Sequence, residues 1–375
     1  MFDRIRQMLI KEFIQVFRDP RMRGVVLILP CLEVVIIGYA VNMDIHHVQT
    51  AVFDQDNSVA SRDLIDRLVH SGYFDVVARV DNARDMQRLV DRSKTQVVVR
   101  IARGFADDLR GGRTAHLQVI LDGTDSNTAG IAMSYLSKMT GQYSRRIMLD
   151  RLDLFGMGMT PPAEVDLRTR AWFNENLDSR NYFVPGVIVI VVSLVSLLLT
   201  SMAVVREKEI GTIEQIMVTP ITPAEFILGK TLPFALIGFA DVTIIALIGL
   251  FWFEVPLRGS IPLLYLATAL YMLTTLGVGL FISTVSQTQQ QAMMATFLFF
   301  FPAMMLSGFS FPIANMPQSV QWLTWLNPIA YFLVIVRSIF LKGVGVGLLW
   351  REFLILGLMG VTTLTLAVRR FHKTL

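Results

Sequence analysis

Three groups of residues in this 375-residue chain are of types that could do chemistry. The run Arg206-Glu207-Lys208-Glu209-Ile210-Gly211-Thr212-Ile213-Glu214-Gln215 gathers charge and hydrogen-bonding groups between two apolar stretches. Such a run either engages a soluble partner or is a solvated connector, and its periodicity alone leaves both readings open. Glu33 and Asp241 are carboxylates inside long apolar runs. A charged aspartate at the centre of a bilayer costs roughly 2.5–3.5 kcal/mol on insertion scales, so such a group faces a cavity or a partner. The chemistry would be proton or cation coupling, or contact with a cationic substrate; the alternative is a protonated or hydrogen-bonded group in the subunit core. Met304 and Met305, with Met293 and Met294 nearby, form the third group. Their soft side chains suit a surface that accepts varied apolar ligands, and suit ordinary helix packing as well.

Other motifs carry no chemistry. Leu228-Gly229-Lys230-Thr231 has the end of a phosphate-binding loop, but that motif needs a glycine five residues before Gly229, where Ala224 stands. Lys230 is more simply read as an inner-face anchor. Leu306-Ser307-Gly308 shares letters with an ATPase signature but lies in an apolar run. Cys31 is the one cysteine, so no intrachain disulfide can form. The five histidines lack metal-ligand spacing apart from the adjacent pair His46-His47. The chain is expected to bind no metal or cofactor of its own and no nucleic acid.

The elements that must position these residues are membrane helices. The chain is 53% hydrophobic and 17% charged, against about 45–50% and 25% for soluble domains. That excludes a soluble cytoplasmic enzyme, a disordered chain and a disulfide scaffold. A spanning helix needs about 20 apolar residues. Six runs qualify: 24–41, 182–205, 226–253, 260–286, 290–309 and 348–368. Before them, Ile5, Leu9, Phe13, Val16 and Phe17 recur every three or four residues with Arg4, Arg6, Lys11 and Arg18 between. Residues 1–20 therefore read as an amphipathic helix in the headgroup plane, stopped at Asp19-Pro20, and not as a signal peptide. The first span then occupies 21–42.

Charge sets the orientation, because Lys and Arg collect on the cytoplasmic side. Arg4, Arg6, Lys11, Arg18, Arg21 and Arg23 begin the chain, and Arg369, Arg370 and Lys373 end it. The net charge of +4 is read in this way. Both ends are expected inside, which requires an even number of spans. A seventh apolar stretch, 322–341, is broken by Asn327-Pro328 and carries Arg337. We read 312–342 as a re-entrant segment dipping from the outer side, with Trp322, Trp325 and Tyr331 at the interface.

Residues 43–181 are polar and nearly balanced, with 18 Lys/Arg and 19 Asp/Glu. Strand-like runs at 50–53, 74–80, 96–101 and 116–121 alternate with helix-like runs at 58–70, 82–92, 104–109 and 128–152. The pattern predicts a compact α/β domain between the first and second spans. Residues 182–375 hold the other five spans. Within them, Ile210, Ile213 and Met217 fall on one helical face, so 205–220 read as a short amphipathic helix closed by Thr219-Pro220. Thr222-Pro223-Ala224-Glu225 restarts the next helix as a capping box with proline at its first position.

The string REKEIGTIEQIMVTPITPAEFILGK resembles the loop after the second span of ABC-2 type export permeases. LSGFSFPIANMP and LNPIAYF resemble that family's outer re-entrant region, and FDQDNS resembles the start of its extracytoplasmic domain. The four strings stand in the family's order along the whole chain. The resemblance implies a non-enzymatic exporter subunit of the bacterial inner membrane, paired with a second permease copy or a related chain. A separate ABC ATP-binding subunit would carry ATP and magnesium. By position, Arg206, Glu207, Glu209, Gly211, Thr212, Glu214 and Gln215 would be the coupling residues. A periplasmic membrane-fusion adaptor and an outer-membrane channel are further expected partners, and hydrophobic drugs an expected substrate class. An ion-coupled secondary transporter using Glu33 and Asp241, or a membrane-anchored receptor or assembly protein, is the competing reading.

Overall fold

The computed structural model describes residues 2–40, 47–154, 172–174, 178–212 and 222–374. The chain divides into two units. One joins Met1–Asn42 to Arg170–Leu375, and the other is Met43–Thr169.

The first unit is helical. Helix α1 spans Phe2–Arg18, and α2, Pro20–Arg23, follows after the break at Asp19. A π-helical turn, Gly24–Ile28, leads into α3, Leu29–Ala40. Four described helices are long and apolar enough to cross a bilayer. They are α8 (Ser179–Ile210), α9 (Pro223–Phe251), α10 (Ile261–Val285) and α14 (Val346–Thr374). Helix α11, Gln289–Met305, covers only part of the expected fifth run, because Leu306 to Phe311 turn away from the helix. It and α3 are shorter than a spanning helix. Helices α12 (Gln318–Thr324) and α13 (Pro328–Arg337) are bent against each other by 81°. The bend falls at Asn327-Pro328, where proline removes a donor and its neighbour avoids the helical region.

Helix α8 is the centre of this unit. It runs about 48 Å at 1.5 Å per residue and packs against α3, α9, α10, α11 and α13. Small residues bring backbones together around it. A Cβ at Gly279 would lie 2.8 Å from Thr200 Cβ of α8. One at Gly277 would lie 2.7 Å from the backbone nitrogen of Leu364, so α10 and α14 touch main chain to side-chain-free surface. Buried hydroxyls pair across the same contacts: Ser193 with Tyr271, and Thr296 with Ser201 at 2.7 Å.

The second unit is α/β. Strands β1 (Val48–Asp54), β2 (Phe74–Arg79), β3 (Val97–Ile101) and β4 (Leu117–Leu121) form one sheet in the order β2-β1-β3-β4. β1 is parallel to both neighbours, and β4 is antiparallel to β3. Helices α4 (Val59–His70), α5 (Ala83–Asp91), α6 (Phe105–Arg110) and α7 (Ser126–Leu154) alternate with the strands. Val48, Val52, Val97, Val99 and Ile101 pack with Leu64, Leu68, Phe105 and Leu136 as one core. The FDQDNS string is the knot at the end of β1. Asp54 Oδ1 accepts from the amides of Asp56 and Asn57, and Ser58 and Ser61 form a capping box on α4. Asp56 then accepts from the amides of Gly104 and Ala106, at 2.8 and 3.1 Å, fixing the start of α6.

Candidate functional site

The expected coupling loop is rooted where α8 ends and α9 begins. The final turn of α8 closes as a Schellman turn. Gly211 adopts φ +81°, its amide donates to Lys208 O, and the Thr212 amide donates to Glu207 O. This corrects the reading of 205–220 as one separate amphipathic helix. Residues 205–210 belong to α8, and Gly211 ends it. Residues 213–221, including Glu214 and Gln215, lie outside the described residues. On the far side, Thr222 and Glu225 form the expected capping box and Pro223 opens α9.

Between these two helix ends lies a buried ionic cluster. The Lys230 ammonium is 2.6 Å from Glu207 Oε1, to which it donates, and 2.6 Å from Glu12 Oε1. The second contact is an ion pair without the alignment of a hydrogen bond. Side-chain exposures are 1% for Lys230, 4% for Glu207 and 5% for Glu12, so all three charges are withdrawn from solvent. Lys11, half-exposed, reaches Glu207 Oε1 at 3.1 Å, and the Thr212 hydroxyl donates to Glu207 Oε2. Two cations thus meet two carboxylates. A buried charge is tolerated only when paired in this way.

Lys230 is therefore not an inner-face anchor reaching for water. It lies on the buried stripe of α9 with Phe226, Ile227, Thr231 and Phe234. Glu12 likewise sits on the stripe of α1 that holds Leu9, Phe13 and Val16. The amphipathic helix α1 packs on α9. Gly229 admits this contact, since a Cβ there would meet Met8 Cβ at 2.9 Å. Arg4 stands 3.6 Å from Glu225. Met8 also joins an apolar cluster of Val204, Phe226, Ile227, Leu280 and Ala367, which draws α14 to the same end.

The other sequence-identified residues fall as follows. Glu209 is exposed, and its Oε2 accepts from the amide and side chain of Gln289, at 3.2 and 2.7 Å, at the start of α11. A carboxylate there complements the helix N-terminus. Lys208 donates to Thr284 O at 3.0 Å. Arg206 is half-buried. Glu33 is half-buried in α3, and Asp241 is 1% exposed in the middle of α9. Neither carboxylate oxygen of Asp241 has a hydrogen-bond partner among the described residues. Met304 packs on the core and Met305 is half-exposed. The structure brings Arg206, Glu207, Glu209, Gly211 and Thr212 together and leaves Glu33 and Asp241 apart from them. Sequence reasoning missed Glu12 and Lys230 as a pair. The signal was one charge on the apolar stripe of each helix.

A second polar junction ties the outer-region strings. The Arg337 guanidinium lies 3.6 Å from the centroid of the Tyr182 ring and donates to Tyr182 O and Gly308 O, at 3.2 and 3.1 Å. The Tyr182 hydroxyl donates to the same Gly308 oxygen. Asn327 donates to Ala303 O at 2.6 Å and accepts from the Ile329 amide, capping α13. Among the described residues, no three His, Cys, Asp or Glu could hold a metal. What the site can do is hold helix ends in fixed register.

Comparison with known proteins identifies the family. Residues 22–369 match the model of the ABC-2 family transporter protein. The chain is 32% identical over 373 residues to the probable multidrug ABC transporter permease YbhR of Escherichia coli K12, covering 100% of this chain and 99% of that one. It is 33% identical over 345 residues to the probable multidrug ABC transporter permease YbhS, covering 91% and 89%. It is 30% identical over 337 residues to the inner membrane transport permease YhhJ, covering 87% and 85%. With its apolar helices and its ion-locked loop root, the chain belongs to the ABC-2 transporter family, as a multi-pass permease subunit whose ATPase is a separate chain.

Proposed function

We propose that this permease is the conduit half of an exporter and takes up force at the loop between α8 and α9. The observation that carries the reading is the Glu12–Lys230–Glu207 cluster. It fastens three helix segments at the root of that loop, so a push on the loop moves α1, α8 and α9 together. Arg206, Glu209, Gly211, Thr212, Glu214 and Gln215 would meet the ATP-binding subunit or shape the surface that does. Glu207 acts from beneath, as the fastening. Two permease chains, identical or related, would enclose the path. The names of YbhR and YbhS, probable multidrug ABC transporter permeases, support drugs as the substrate class; hydrophobic ones are the class we propose.

The proposed topology has six spans, α3 and α11 being the two shorter ones, with α12 and α13 as the re-entrant pair. Both ends then lie in the cytoplasm and the α/β unit outside, where a membrane-fusion adaptor and an outer-membrane channel would take substrate onward. In the assembled complex, Glu209→Ala with Glu214→Ala should keep ATP turnover and lose export; unaltered export would refute the coupling role. An impermeant thiol reagent should label a cysteine at position 126 from outside and spare one at position 212. The reverse pattern would overturn the topology.

A further inference from the structure

We propose that the α/β unit carries a binding site for a small single-tailed amphiphilic anion, in the groove between α6, α7 and the start of β4. The inference concerns binding alone and stands independently of export. The groove encloses about 480 Å³, within the roughly 300–1,000 Å³ of ligand pockets. Its apolar floor comes from four elements: Leu64 of α4, Phe105 of α6, Leu117 of β4, and Ile147 and Met148 of α7. Among the described residues this apolar surface is left unfilled, beside the core that α7 joins through Leu136 and Tyr143.

Charge decides the occupant. The residues lining the groove include two arginines, Arg113 and Arg151, and no carboxylate. Both guanidiniums are seated by the glycine turn beneath them. A Cβ at Gly111 would lie 3.1 Å from Arg113 Nη1, and one at Gly112, at φ +72°, would lie 3.5 Å from Arg151 Nη1. Asp108 Oδ1 accepts from Arg113 Nε at 2.9 Å, an ion pair that fixes the fork while its Nη groups make no hydrogen bond among the described residues. Arg151 makes no ion pair among the described residues. Thr140 and Ser144 add hydroxyls to the wall. An adjoining cavity of about 600 Å³ shares Leu109, Tyr143, Ile147 and Arg151 and gives a tail room to extend. Its Asp150 is already placed 3.9 Å from Arg146. An apolar trough with a guanidinium pair at one edge matches a carboxylate or sulfonate head on a short alkyl tail.

The test uses the full chain in lipid nanodiscs with Cys31→Ala and Met148→Cys. The readout is the rate at which the neutral reagent N-ethylmaleimide modifies the new thiol. Octanesulfonate should slow modification at least tenfold at saturation, whereas octanol and octyltrimethylammonium at equal concentration should not. Arg113→Gln with Arg151→Gln should raise the half-protecting octanesulfonate concentration at least tenfold, and Arg→Lys at both positions should retain most of the protection. An unchanged rate without ligand confirms that the Gln variant is folded. If that rate changes, the three-ligand comparison in the parent decides alone. No protection, equal protection by the alcohol or the cation, or protection only by a second protein would overturn the proposal.

Discussion

Replacing Lys230 by methionine removes the one cation shared by Glu12 and Glu207. Each carboxylate oxygen lies 2.6 Å from the ammonium, a separation worth roughly 6 kcal/mol of attraction per pair at an effective dielectric of about 20. Desolvation of three side chains offsets most of that, so the net loss is set by what remains buried and unpaired. After Lys230→Met, Glu207 keeps Lys11 at 3.1 Å, while Glu12 loses its only ion-pair partner among the described residues. Stranding one buried charge costs about 3–5 kcal/mol. The expected loss is of that size, read as the shift in unfolding free energy in mixed dodecylmaltoside–SDS micelles. Adding Glu12→Gln removes the stranded charge and should recover at least half of it. Glu12→Leu, Lys230→Met and Glu207→Leu together should lie within about 1 kcal/mol of the parent, because apolar replacement of a buried ion cluster is often neutral or stabilising. That triple variant should nonetheless uncouple ATP turnover from export. A loss under about 1 kcal/mol in Lys230→Met, or a double variant as unstable as the sum of its parts, would refute the buried-cluster reasoning. A triple variant that exports normally would refute the coupling reading while leaving the energetics intact.

Gly277→Ala should cost about 1–3 kcal/mol by the same assay, since the added methyl meets the Leu364 nitrogen and the Thr363 carbonyl carbon as well as the Thr363 hydroxyl, and rotating that hydroxyl away leaves the backbone clash; wild-type stability would show that α10 and α14 are looser than described. Arg337→Lys should lose about 1–3 kcal/mol, because an ammonium cannot stack on Tyr182 and serve two carbonyls at once; equal melting of Arg and Lys forms would contradict the planar role. Burial pushes the Asp56 carboxyl up, but bonds from Ser58 and the amides of Ala106, Gly104 and Phe105 outweigh it and hold its pKa below the usual value. Its folded pKa therefore lies under an unfolded value of about 3.9, and its stabilisation is present above that value and lost as pH falls through the folded one. Asp56→Asn should accordingly lower the melting point of the α/β unit at pH 7, by an amount that shrinks as the pH falls below the usual carboxylate range; a deficit independent of pH would place the effect elsewhere.

The α/β unit was legible because each signal in it is local. β-branched and aromatic residues mark β1 (Val48, Thr50, Val52, Phe53) and β3 (Val97, Val98, Val99, Ile101), while Ser58 and Asn82 stand at the starts of α4 and α5 and accept from the amides three residues on. The long membrane helices were legible from length and composition. The loop root was not. Its partners are separated by 23 residues for Glu207–Lys230 and 196 for Lys11–Glu207, and no periodicity within either helix specifies such a pairing. What each helix did display was a misfit. Glu12 and Lys230 interrupt apolar stripes, and two opposite misfits satisfy each other. The end of α8 failed for another reason. The spacing of Ile210, Ile213 and Met217 favours a continued helix, but a glycine placed just after Lys208 and Glu209 gives the chain a left-handed stop that overrides the pattern.

A buried ion cluster is weak ground for stability, since apolar residues of similar size hold helices together as well. Its difference from an apolar contact is directional. Leucines on three helices tolerate sliding by part of a turn, whereas an ammonium at 2.6 Å from two carboxylates fixes the register of α1, α8 and α9 to within hydrogen-bond tolerance. The Ser179 end of α8 is held by Tyr182 with Arg337 and the Gly308 carbonyl. Between these ends the helix is buried along most of its length. On the proposed coupling role, a force applied where Gly211 turns the chain would not be absorbed by slip at the Gly211 end of α8. It must either break a charge pair or carry α8 bodily toward the junction at Gly308, and the cost of stranding a buried charge makes the second course the cheaper one.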